Sequence, residues 1–430
     1  QLFNVLDDGN RGLVTPEKTF NVPSAGAQPT MDGFVADYIS MLEAELGRAP
    51  KFTEYSQIMV GYSPEQMPVL SGLARGFATF DHWFCEVPSC TFTNRSFFHA
   101  GTASGYVVNT TPADSFPVHN TAETLFDRLD AAGLTWRIYC DPPSHYSLTG
   151  VIHAARLHPR FATNFFSTEQ FYADAERGEL PTYSFIEPQI IGFNHNDMHP
   201  PFSGLLSAVA KAGGITEPDQ LNFDNPSSLI AGEDLLDRIY RAVRDSSSTT
   251  GSNFLNTTLL VTFHVPPPAA VPPDGSGPGQ FGFNFDRSGV RIPTVAISAW
   301  IPERTIVTDE YRSTSLLSTM RERWDLGAPL TARDADARSF AGVSSLTVPR
   351  PQENWPDVVA RPVPVLPPSA QSLDAQLGLL GMSLVQAVLG LGAGLGASVP
   401  SLDPRAPLTG TDALALAHDV LGDVFPAMRS

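Results

Sequence analysis

Between Cys85 and Arg95 the chain reads Cys-Glu-Val-Pro-Ser-Cys-Thr-Phe-Thr-Asn-Arg, a run dense in hydroxyls that ends on an amide and a guanidinium. A hydroxyl beside an arginine suits phosphate chemistry: the oxygen attacks phosphorus while the guanidinium holds the phosphoryl oxygens. The same composition also makes an ordinary Ser/Thr-rich turn, and residue chemistry alone leaves both readings open. A second candidate is Asn194-His195-Asn196-Asp197-Met198-His199-Pro200-Pro201, with two histidines and a carboxylate on a loop that proline terminates. Such a trio could hold a divalent cation or a phosphoryl oxygen, although its spacing fits no standard zinc signature. His264 follows the apolar run 259–263 directly, a strand-end position at which a satisfied structural histidine is the plainer reading. His82 and His99 flank the first turn among Trp83, Phe84, Phe97 and Phe98 and read as packing residues.

Elements must position these groups, and the pattern is that of an α/β protein. Phe34, Tyr38, Met41 and Leu42 share one helical face, and Leu235, Leu236, Ile239 and Val243 share another. Strand-like runs lie at 56–60, 79–84, 135–139, 183–186, 257–263 and 294–301, with Leu259-Leu260-Val261 and Val295-Ala296-Ile297 continuous enough to be buried on both faces. Alternation of this kind predicts a mainly parallel central sheet between layers of helix, a three-layer sandwich whose ligands sit beyond the carboxyl ends of the strands. Asn120 with Glu123 has capping-box spacing, and Ser313 or Thr314 is placed to cap the helix carrying Leu317, Met320 and Trp324. Six prolines and four glycines at 266–282 mark an irregular excursion, and seven prolines at 349–368 mark an extended linker or wrap. The division expected is therefore one α/β domain over 1–346 and a Pro-rich, then helical, extension over 347–430.

Composition narrows the function classes. The 430 residues can bury a large core, and 27 Lys and Arg against 45 Asp and Glu leave a net charge of −18, the wrong sign for binding nucleic acid or coating an anionic membrane. Cys85, Cys90 and Cys140 are too few for a disulfide framework and leave room for one bridge and one free thiol. The chain opens on Gln1 with no basic, apolar leader, which reads as a processed form or a fragment. The run 377–399 is long enough to span a bilayer, but its six glycines and its acidic flanks Asp374 and Asp403 favour a packed helix, so no transmembrane anchor is expected.

Several motifs together resemble the bacterial phosphoesterase family that includes secreted phospholipases C and acid phosphatases, with an alkaline-phosphatase-like fold. They are Met31-Asp32-Gly33-Phe34-Val35, the block 80–101 with its Thr-x-x-Asn-Arg, Ser184-Phe185-Ile186-Glu187-Pro188, Asn196-Asp197-Met198-His199-Pro200-Pro201, and Gly232-Glu233 heading a helix. His264-Val265-Pro266-Pro267-Pro268, Gly289-Val290-Arg291-Ile292-Pro293, Ser298-Ala299-Trp300-Ile301-Pro302 and Leu330-Thr331-Ala332-Arg333-Asp334 continue the series in family order. The resemblance implies that Thr91 is a metal-bound nucleophile and that Asn94 and Arg95 shape the phosphate pocket, with His264 close to it. It also implies that His199 protonates the leaving alkoxide, or holds a phosphoryl oxygen, beside Asp197. The implied substrate is a phospholipid head group or a small phosphate ester, met outside the cytoplasm in a secreted or periplasmic setting.

Three departures qualify this. The family's Glu-Asn-Arg-Ser-Phe-Asp motif would precede Gln1, its Asp-Glu-His-Gly-Gly loop is absent where Phe263 joins His264, and Arg312-Ser313-Thr314-Ser315 stands where relatives carry a histidine. Of the expected ligands to a divalent metal, only Thr91 remains, and one neutral hydroxyl does not hold a hard cation. The resemblance thus implies a threonine-dependent, metal-dependent phosphoric-ester hydrolase, inactive in this form for want of ligands. The alternative is a non-catalytic binder of a phosphate-bearing ligand.

Overall fold

The computed structural model describes residues 34–59, 61–89, 91–107, 109, 116–140, 147–190, 196–198, 227–263, 271–289 and 291–363, with isolated helical positions between 385 and 420. His199, His264 and most of the run 377–399 lie outside the described residues. Helix α1 (Phe34–Leu46) and α2 (Pro68–Gly76) precede strand β1 (Ala78–Phe84), which feeds α3 (Thr91–Ala100). Then come α4 (Leu125–Ala131), β2 (Trp136–Cys140), α5 (Leu148–Ile152), β3 (Phe165–Ser167), α6 (Thr168–Arg177) and β4 (Tyr183–Glu187). The long α7 (Ser227–Arg244) is followed by β5 (Leu259–Val261), β6 (Val295–Ile297), β7 (Thr305–Arg312), α8 (Ser315–Trp324) and α9 (Ala332–Asp336).

The fold is mixed α/β, and the described strands form two sheets where one was expected. The first runs β5-β6-β1-β7, antiparallel except for the parallel β1–β7 pair; the second runs β3-β2-β4 and is parallel throughout. β3 and β7 were not anticipated from the sequence. The run at 56–60 is not a strand: a short helix at Phe52–Tyr55 continues as a 3-10 turn over Ser56–Met59. The Lys51 N–H donates to the Glu54 carboxylate at 2.6 Å, which closes the first helical turn locally.

β1 organises the core. Its pairing with β7 slips by one residue between Phe80 and His82, so Phe80 and Trp83, three positions apart, are both buried, with ring centroids 4.9 Å apart. The slip also turns His82 out to solvent, so the packing reading holds for His99, which is fully buried, and fails for His82. The core reaches past residue 346. Trp355 is buried against Phe77 at 5.0 Å, Arg350 donates to the Gly76 carbonyl at 2.7 Å, and the Tyr240 hydroxyl donates to the Pro356 carbonyl at 2.8 Å. The first part of the Pro-rich segment is thus a wrap seated on α2 and α7.

The expected caps are displaced. Thr124 and Asp127, not Asn120 and Glu123, form the capping box of α4. Asn120 is fully buried and donates to Ser96 Oγ and the Ile152 carbonyl. Thr314 stands at the N-cap of α8, but its hydroxyl donates to Glu86 instead of accepting from the helix. Glu233 lies inside α7 rather than at its head, because α7 begins at Ser227.

Candidate functional site

Thr91 opens α3, and it is the one residue of that helix left partly exposed; Phe92 through Ala100 are all buried. The turn leading to it is held by Asn94. Its Oδ1 accepts the N–H groups of Glu86 and Val87, both at 3.0 Å, and its Nδ2 donates to the carbonyls of Val87 and Ser89 at 3.0 and 2.9 Å. One side-chain amide so placed acts as an extra peptide unit across the turn. The Phe92 N–H donates to Asn109 Oδ1 at 3.1 Å, tying the first turn of α3 to the chain beyond that helix.

Two buried ion pairs brace this turn. Glu86 and Arg333 are fully buried and meet at 2.8 Å. The other Glu86 oxygen accepts the Thr314 N–H and hydroxyl, both at 2.7 Å. Arg333 also donates to the Glu86, Pro272 and Phe285 carbonyls and lies over the Phe97 ring. One turn into α3, Arg95 pairs with Glu187 at 2.5 Å, and Glu187 also accepts from the Ser147 hydroxyl and from the N–H and hydroxyl of Thr149. Glu187 ends β4, and its register partner Cys140 ends β2, so the carboxyl ends of β2 and β4 meet α3 just past Thr91. Cys140 and Cys85 are buried, unbridged thiols; Cys90 lies outside the described residues. Burial, reinforced by Glu187, pushes the Cys140 thiol well up and keeps it protonated.

Asp197 is carried to the same strand end. The Gln189 N–H donates to Asn196 Oδ1 at 2.7 Å and the Asn196 N–H donates back to the Gln189 carbonyl at 3.0 Å, so the chain returns to the end of β4 just before Asp197. Met198, with φ of 58°, rests on α7 at Gly232, where an added Cβ would lie 2.4 Å from Met198 Cγ. Thr91, Asn94 and Arg95 therefore share one helix, and Asp197 is tied to the strand whose last residue Arg95 grips. Asn94 and Arg95, expected in the phosphate pocket, spend these groups on the turn and on Glu187. Glu86, Glu187 and Arg333 went unsingled in the sequence reading; the signal was available, since Glu86 lies inside the Cys85–Arg95 run and Glu187 at a strand end.

The model of the phosphoesterase family matches residues 17–327, and the chain belongs to that family. It is 29% identical to non-specific phospholipase C1 of Arabidopsis thaliana over 412 residues, covering 90% of this chain and 68% of that protein. It is 30% identical to non-specific phospholipase C3 of the same plant, over 80% of this chain and 62% of that protein. Phospholipase C B of Mycobacterium tuberculosis is 24% identical over 374 residues, covering 80% of this chain and 67% of that protein, so the likeness spans plants and bacteria. The chain spans 56 to 68% of the length of the five plant relatives it matches.

Members of this family are generally metal-dependent phosphoric-ester hydrolases. Three buried carboxylates among the described residues already have partners: Glu86 is committed to Arg333 and Thr314, Glu187 to Arg95, Ser147 and Thr149, and Asp274 to Thr102 and Ser276. Among the described residues no group of three or more His, Cys, Asp or Glu side chains is placed to hold a metal. Arg312, in register with Phe84 at the carboxyl end of β7, pairs there with Asp336. No helix of the described residues is long and apolar enough to cross a membrane.

Proposed function

We propose that this chain is a phosphoric-ester hydrolase of the phospholipase C type, acting on a phospholipid head group or a small phosphate ester outside the cytoplasm, with Thr91 as its nucleophile. The observation that carries the reading is the partial exposure of Thr91 alone on an otherwise buried helix, at the convergence of the β2 and β4 ends. The fold proposed is the alkaline-phosphatase-like three-layer arrangement, with the two described sheets as parts of its centre. In the proposed step Thr91 Oγ bonds to phosphorus, its hydroxyl proton passing to solvent, as the bond to the leaving alcohol breaks and the alkoxide takes a proton from His199; water then hydrolyses the phosphothreonine, giving one proton back to His199 and leaving the free phosphate and the Thr91 hydroxyl. Asp197 orients that histidine, and His264 takes part in binding the substrate. Arg95 and Asn94 act at one remove, by fixing the turn that presents Thr91.

The test is hydrolysis of a chromogenic phosphodiester and monoester by the chain, with and without added Mn²⁺, Ca²⁺ or Zn²⁺. Turnover that falls by about 10³-fold or more in Thr91→Ala supports the assignment, the scale expected for loss of a nucleophile. Turnover unchanged in that variant overturns it. The commitment of every buried carboxylate beside the turn favours a second reading, a non-catalytic binder of phosphate-bearing ligands. Its mark is orthovanadate binding that Thr91→Ala abolishes, in a protein that turns over neither ester.

A further inference from the structure

We propose that Phe52, Met59 and Tyr62 mark a docking surface for a zwitterionic phospholipid layer. Three of the largest exposed apolar side chains of the molecule fall within eleven residues here: Phe52 is 70% exposed, Met59 64% and Tyr62 52%. The remaining exposed large hydrophobics, from Leu255 to Val363, are scattered along the chain. Phe52 and Tyr55 hold an edge-to-face contact at 5.5 Å, which fixes both rings on the short helix. The buried core of the described residues begins only at Val69, so this surface stands outside it. An aromatic and methionine cluster presented this way suits the boundary between headgroup and acyl chain.

Charge selects the kind of lipid. Arg48 meets the Glu54 carboxylate at 2.6 Å and holds its pKa down to about 2, so that pair is internally neutral. The Phe52 and Tyr55 rings offer faces to a quaternary ammonium. The net charge of −18 sets the whole molecule against an anionic surface, which leaves a neutral one as the partner. The inference rests on the phospholipid reading of the site, since a substrate held in a lipid layer must be met there.

Co-sedimentation of the chain with phosphatidylcholine vesicles, and with vesicles containing phosphatidylserine, tests it. Binding to the neutral vesicles is expected, weakened by about tenfold or more in a Phe52→Ser, Met59→Ser, Tyr62→Ser triple variant that unfolds at an unchanged temperature. No binding, equal binding by the variant, or binding to the anionic vesicles alone overturns the proposal. So does light scattering that shows a dimer which the variant dissolves, because a second copy then covers the surface. Hydrolysis of a water-soluble chromogenic phosphodiester separates the two readings: turnover without vesicle binding removes only the docking surface, and vesicle binding without turnover removes only the hydrolase.

Discussion

Arg333 donates to a carboxylate and three carbonyls without any exposure to solvent, so its removal strands a buried carboxylate and opens three loop contacts at once. Breaking one partner of such a pair costs about 3–5 kcal/mol. Urea unfolding of Arg333→Met should show that loss, and Glu86→Gln combined with it should cost less than the sum of the two, as for residues in one network. A loss below about 1 kcal/mol would mean the pair is not bracing the turn. Thr91→Ala, by contrast, should leave stability within about 1 kcal/mol, because Thr91 is the one residue of α3 that is not fully buried. His153 adds a pH dependence: burial lowers its pKa from 6.5 to about 3, with Asp127 opposing the shift and Arg95 adding to it. Between those values the unfolded chain binds a proton that the folded chain refuses. Stability is therefore full above about pH 6.5 and falls on acidification toward pH 3, by up to about 1.4 kcal/mol per pH unit. Unfolding curves at pH 7, 5.5 and 4.5 should be steeper in pH for the native chain than for His153→Gln.

At the scale of elements, helices and the strand before the candidate turn were legible, while the ends of helices were not. Local spacing pointed to Asn120 and to Ser313 or Thr314 as caps, yet α8 draws on Glu86 and α2 on Glu233, whose carboxylate accepts the Val69 and Leu70 N–H groups at 2.6 and 2.9 Å. A donor satisfied from far along the chain leaves no pattern within a window of ten residues. The Pro-rich stretch shows the same limit, since composition marks an extended segment without saying that Trp355 is seated on Phe77 and Tyr240. That seat predicts where proteases cut. Brief digestion with a non-specific protease should spare residues 349–358 and cut further along, whereas Trp355→Ala should open 349–358 and cost about 3–5 kcal/mol. Early cleavage of the native chain at 349–358 would show that the wrap does not hold.

For the whole molecule, family order along the chain made the phosphoesterase class legible from the sequence. What stayed hidden was a structural use of these residues: Asn94 and Arg95, expected by motif to shape the pocket, also brace the turn in front of it. From the direct junction of Phe263 and His264, where the family carries an acidic and histidine-bearing loop, we propose that calorimetry with Mn²⁺, Ca²⁺ or Zn²⁺ finds no tight site in this chain. A single tight site lost in Thr91→Ala would overturn that and point to ligands such as His264 or Asp309. The Glu233 cap on α2 carries one consequence for biosynthesis. Its acceptor lies 164 residues after the Val69 amide it serves, so a ribosome must add all of those residues before the first strand's leading helix can close its own beginning. Until then α2 has its N-terminal amides in water and β1 lacks its partner β7, which is translated later still. A nascent chain halted before residue 233 should therefore be taken by chaperones as unfinished, and the N-terminal third should not persist as an independent folded piece.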